Sequence, residues 1–136
     1  MNMKRDGSDI PAAELEILGS LWRLGSGTVR EILEELKTEG RSLAYTTVLT
    51  LVGRLESRGY VQSRRGGGAH VYKPRISRKK VLGGRVGTLA RKLGEGEVAP
   101  LILQLVETHK LSGEEIRQLR KYLDKLEAES GEEVDG

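Results

Sequence analysis

The chain has 136 residues, 37% of them hydrophobic, with no phenylalanine and one tryptophan, which allows one domain of ordinary size plus a short module built on Leu, Val and Ile. It has no cysteine, which excludes disulfides, thiolate metal sites and cysteine nucleophiles and fits a reducing interior. Its net charge of +3 hides an uneven distribution: residues 41–92 carry 13 basic side chains against one acidic, Glu56, while residues 1–40 carry 5 against 8 and residues 93–136 carry 5 against 11.

The N-terminal run MNMKRDGSDIP lacks the apolar core of a signal peptide, and no stretch approaches the ~18 apolar residues of a membrane span. A cytoplasmic protein without membrane insertion is expected, with residues 1–9 polar and loose. Pro11 suits an early helical position, and Leu15, Leu18, Leu21 and Trp22, helped by Ile17, mark a first helix ending at Gly25. Thr28 with Glu31 three residues on forms a capping-box pattern, and Val29, Ile32, Leu33 and Leu36 are the apolar stripe of a second helix ended by Gly40.

The third helix falls within Leu43–Tyr60. Val48, Leu51, Val52 and Leu55 follow the one-face spacing of an amphipathic helix, so that face is buried. The opposite face carries Thr46, Thr50, Gly53 and Ser57, with Thr47 and Arg54 at its edge, and none of these is acidic. Hydroxyls reach phosphates or base edges, a threonine methyl packs on a thymine methyl, and arginine pairs with guanine. In isolation an ordinary solvated helix face has the same composition. The basic block around this helix is the footprint of a polyanionic partner and favours nucleic acid. Tyr45 is expected at the helix entrance near a phosphate. Three short helices with tight connections describe a helix-turn-helix core.

Tyr60–Arg64 and His70–Lys73 read as two strands joined by Arg65–Ala69. A hairpin here is a wing, whose Arg64, Arg65, His70 and Lys73 are expected beside the phosphate backbone. The glycine run lacks the Gly-Lys-Ser/Thr ending of a phosphate loop, and one Arg-Gly-Gly triplet is weak evidence for an RNA-binding repeat.

After Pro74, Leu82, Val86, Leu89 and Leu93 predict a basic helix over 76–93, with Gly83, Gly84 and Gly87 either disturbing it or admitting a partner helix. A short helix over 99–108 carries Leu101, Ile102, Leu105 and Val106. The last helix carries Ile116, Leu119, Leu123 and Leu126 behind a second capping box, Ser112 with Glu115, and the SGEEVDG tail is expected to fray. About 55 residues are too few for an independent core. These stripes either fold back on the first helices or pair with a second copy. The second is favoured, with Leu101, Leu105, Ile116, Leu119, Leu123 and Leu126 at the interface. The fold expected is mainly α with a small β-hairpin wing: a winged helix-turn-helix domain over 10–75 and a helical dimerisation domain over 76–130.

No enzyme constellation stands out. His70 and His109 lie far apart, no HExxH motif accompanies them, and Glu34, Glu35 and Glu107 read as solvated helix carboxylates. No catalytic residue, metal ligand or cofactor is expected.

The runs ELEILGSLW, AYTTVLTLVGRLESRGYV, HVYKP and LVETHKLSGEEIRQLRKYL together resemble the penicillinase repressor family, the BlaI/MecI group with its copper-responsive CopY-type relatives, over about Ile10 to Leu126. The resemblance implies a transcriptional repressor that grips an inverted-repeat operator of double-stranded DNA through a winged helix and dimerises through its C-terminal helices. It also implies a sensor protease as a partner, because in the best-known members induced cleavage in the C-terminal part lifts repression. The matching bond here is Gln104–Leu105, ahead of Val106-Glu107. Gln104 and Leu105 stand where those members have asparagine and phenylalanine, so cleavage and an unknown effector both stay open. Copper-responsive relatives use cysteines, so that route is not expected. The competing expectation is a non-specific architectural DNA- or RNA-binding protein. RNA modules present aromatic platforms, and the basic region has only Tyr45, Tyr60 and Tyr72.

Overall fold

The apolar period of the first sixty residues becomes three helices in the computed structural model, which describes residues 6–93 and 98–134. They are α1 (Ala12–Leu24), α2 (Val29–Thr38) and α3 (Tyr45–Ser57). Ile17, Leu18 and Leu21 of α1, Ile32 of α2, and Val48, Val52 and Leu55 of α3 are wholly removed from water. Each such burial contributes about 1.5–3 kcal/mol relative to exposure. Pro11 stands at the cap position of α1, where its carbonyl accepts the Leu15 N–H at 2.9 Å. The capping box of α2 is complete: the Glu31 N–H donates to Thr28 Oγ1 at 3.1 Å and the Thr28 N–H donates to Glu31 Oε1 at 2.9 Å.

The hairpin pairs β1 (Val61–Gly66) with β2 (Ala69–Pro74) in antiparallel register, from Val61 opposite Pro74 to Gly66 opposite Ala69. Its connection is therefore shorter than the five residues expected. Gly67 and Gly68 alone make the turn, both in the left-handed region at φ 58° and 90°. Positive φ at both central residues is what a type I′ turn demands, and that turn matches the twist of the strands it joins. Arg65 is thereby drawn into the ladder opposite His70. At the hairpin's base, Gly27 and Tyr72 exchange backbone hydrogen bonds of 2.9 and 2.8 Å, which ties the α1–α2 connection to β2. Tyr60, Val61 and Tyr72 are buried, so the wing is rooted in the helical core.

Past the hairpin, the carbonyl of Ile76 accepts the Trp22 indole N–H at 2.9 Å, and α4 (Arg78–Leu93) runs unbroken through its glycines. The close approach at Gly84 comes from the N-terminal segment: a Cβ there would lie 2.7 Å from Asp6 Cγ. That segment is not loose where it is described. Gly7, at φ 78°, sits where a Cβ would meet Val81 Cγ2 at 2.7 Å, and Arg58 binds Asp9 Oδ2 at 2.6 Å. The remainder of the expected loose segment, residues 1–5, lies outside the described residues.

The chain divides into two compact units, Met1–Leu89 and Ala90–Gly136, with the division inside α4. The second unit contains α5 (Ala99–Thr108) and α6 (Gly113–Val134). Ser112 caps α6 reciprocally with Glu115, at 2.9 and 3.1 Å. These bonds hold the Glu115 carboxyl below the usual glutamate range. The expected fraying of the tail does not begin at Ser130: α6 continues to Val134, because a single glycine such as Gly131 costs a helix only about 1 kcal/mol. Residues 135–136 lie outside the described residues. No described helix is long and apolar enough to cross a membrane.

Candidate nucleic-acid interface

With Val48, Leu51, Val52 and Leu55 turned inward, α3 presents Thr46, Thr47, Thr50, Gly53, Arg54 and Ser57 to solvent. Thr46, Thr47, Thr50 and Arg54 line one surface depression of about 280 Å³. Ala44 supplies no side-chain cap and the first turn holds no acid, so the positive end of the helix dipole is uncompensated. Tyr45 opens the helix half-exposed, and the Arg30 guanidinium lies 5.9 Å from its ring centroid.

Strand alternation sorts the wing residues onto two faces. Arg64 and Lys73 share a face with Gln62 and Val71, and these four line a cleft of about 350 Å³ with Gly25 and Ser26. Arg65 and His70 lie opposite each other on the other face, with Ser63 and Tyr72. That face looks toward α3, since the Ser63 hydroxyl donates to Glu56. The His70 and Tyr72 rings are 6.4 Å apart. The Tyr72 hydroxyl is pushed above the ordinary tyrosine range by burial and then by the charge of Glu56. All four wing residues are exposed, and none of Arg54, Arg64, Arg65 and Lys73 forms an ion pair among the described residues.

Two other cations of the basic block, Arg41 and Arg58, are structural. Arg41 Nε lies 2.8 Å from Glu16 Oε2. Arg58 binds Asp9 at 2.6 Å, reaches Glu14 at 3.5 Å and covers the Tyr60 ring at 5.4 Å. Glu14 is only 3% exposed, and its Oε1 has no hydrogen bond among the described residues, so Arg58 is what offsets its burial. The Tyr60 hydroxyl donates to Asp9 Oδ1 at 3.0 Å, and burial followed by that carboxylate pushes its pKa up.

In the second unit, Leu105, Ile116, Leu119, Leu123 and Leu126 are between 41% and 58% exposed, and Leu101 is half-buried. Val106, Leu111, Ile116, Leu119 and Leu123 contribute to a cavity of about 550 Å³ between α5 and α6. Gln104 and Leu105 lie inside α5, where the Gln104 amide donates to Thr108 Oγ1 at 2.9 Å. His70 and His109 fall in different units, and the described residues contain no cluster of potential metal ligands.

Residues 10–125 match the sequence profile of the penicillinase repressors. The chain belongs to the penicillinase repressor family. Its relatives include the transcriptional regulator BlaI of Mycobacterium tuberculosis (strain H37Rv), 34% identical over 87% of this chain and 85% of that protein. The penicillinase repressor of Bacillus licheniformis is 27% identical over 85% of this chain and 89% of its own length. The solution structure of the DNA-binding domain of the repressor BlaI aligns at 28% identity, with a TM-score of 0.48, over 57% of this chain and 93% of that domain.

One exposed side chain of this family member escaped the sequence reading. Leu49, one turn beyond Tyr45 on α3, is 45% exposed. Plotting all the apolar residues of α3 on the helix, and not only the buried stripe, would have flagged it.

Proposed function

We propose that this chain is a cytoplasmic transcriptional repressor that binds double-stranded DNA sequence-specifically. The observation that carries the reading is the exposed α3 face: hydroxyls and Arg54 around one depression, with no acidic group and no ion pair on Arg54 among the described residues. A helix so equipped suits the major groove, with Arg54 reading guanine and the threonines reading bases or holding phosphates. Tyr45, Arg64, Arg65, His70 and Lys73 supply phosphate contacts, which position the protein without reading sequence. Membership of a repressor family supports the same reading.

Two copies bind the half-sites of an inverted repeat. The exposed leucines of α5 and α6 form the dimer contact, which gives 10–75 the role of DNA binding and 76–130 that of pairing. Release follows a signal. If a sensor protease cuts Gln104–Leu105, helix α5 has to unwind first, because that bond lies within regular helix.

A competition shift assay tests the reading, with labelled duplex challenged by unlabelled duplex, single-stranded DNA and RNA. Selective displacement by duplex is the expected result. Equal displacement by RNA would point to a non-specific polyanion binder.

A further inference from the structure

The exposed face of α3 has two edges of different chemistry. Thr46, Thr47, Thr50 and Arg54 form the hydrogen-bonding edge around the depression. Tyr45, Leu49 and Gly53, each four residues apart, form the other. The core does not call for an apolar residue at 49, because Val48 and Val52 beside it already fill the interior and Leu49 remains 45% exposed. A lone exposed leucine is ordinary on a protein surface. Here it stands beside hydroxyls, glycine and arginine, with the Tyr45 ring one turn before it and the Glu56 carboxylate two turns on, drawn toward the wing by the Ser63 hydroxyl.

Gly53 strengthens the case. It lies mid-helix, where glycine weakens the structure, and a Cβ there would meet nothing within 4 Å. Nothing described inside the chain requires glycine at that position. A bare backbone patch beside an apolar side chain accommodates a flat surface at close range, and the Tyr45 ring beside Arg30 bounds its N-terminal end. In the major groove, the apolar group available to such a surface is the C5 methyl of thymine.

We propose that Leu49 is a specificity-determining residue that packs on a thymine methyl in each half-site, with Gly53 admitting the base-pair edge closely enough for contact. This rests on the duplex-DNA reading above.

The test begins with full-length protein and a pool of random duplexes, from which bound sequences are selected. In the selected duplex each thymine is replaced singly by deoxyuracil, which removes only the methyl. For the wild type, one position per half-site should lose about fourfold in affinity, and replacement in both half-sites ~15-fold, as expected for one buried methyl each. Leu49→Ala should abolish that dependence while the conservative Leu49→Met retains it. Gly53→Ala should raise the melting temperature and yet weaken binding. A wild type indifferent to uracil, a uracil effect that survives in Leu49→Ala, or full affinity in Gly53→Ala would overturn the inference while leaving DNA binding intact. Failure to select any duplex would overturn both.

Discussion

Arg54 and Arg58 stand one helical turn apart and do different work. Arg58 neutralises the buried Glu14 and ties Asp9 to α3, whereas Arg54 has no carboxylate partner among the described residues. Arg58→Ala should therefore destabilise the fold by about 2 kcal/mol, below the 3–5 kcal/mol of a fully buried pair because Arg58 is partly exposed. Arg54→Ala should leave stability within about 0.5 kcal/mol. It should weaken operator binding by ~1–3 kcal/mol and relax preference at one base pair. Denaturant melts and binding to single-substitution operators separate the two effects, and a reversed pattern would mean the roles have been exchanged. Nothing local in the sequence separated these arginines, because both belong to one basic block and the carboxylates that claim Arg58 lie more than forty residues away. Tyr60→Phe removes the bond to Asp9 and should cost about 1 kcal/mol at neutral pH. The folded-state pKa of Tyr60 is raised, so its contribution is complete below the ordinary tyrosine value of 10.0 and fades as pH rises past it. A stability profile above pH 10 should accordingly be flatter in Tyr60→Phe than in the wild type.

Among the elements, the helices were legible because their apolar stripes repeat every three to four residues and their caps are local. Thr28 and Glu31 announced the start of α2 by type and spacing, and the capping box is present in full. Thr28→Ala should cost about 1 kcal/mol in thermal unfolding. An unchanged melting temperature would mean the box contributes nothing to stability. The wing was legible in outline only. Three glycines in a row announce a turn without saying which of them makes it, and strand pairing extends as far as the turn geometry allows. Gly68, at φ 90°, cannot take a Cβ without strain, so Gly68→Ala should lower stability by about 1–2 kcal/mol. Gly67→Asn suits a type I′ turn and should be tolerated. Similar melting temperatures for both variants would show that the tip does not depend on that turn. The tethering of residues 6–9 was invisible in the sequence, since short polar runs reveal their partners only once α4 and Arg58 are in place.

For the whole molecule, the sequence announced apolar stripes after residue 76 that need covering, and a single chain leaves much of them exposed. In the proposed dimer, Leu119→Glu or Leu123→Glu places a charge in an apolar contact. Either variant should sediment as a monomer and bind one half-site weakly; an unchanged dimer would rule out this interface. Cutting Gln104–Leu105 should separate α6 from the DNA-binding unit and collapse affinity, because linked half-sites gain from effective concentration. Intact protein that has left its operator in induced cells would exclude that route. The central claim, that free cations around α3 and the wing grip a duplex, is tested most directly by operator affinity as a function of salt. If the dimer neutralises ~6–10 phosphates, affinity should fall ~10³–10⁵-fold between 50 and 200 mM salt; an affinity that stays flat across that range would contradict the account.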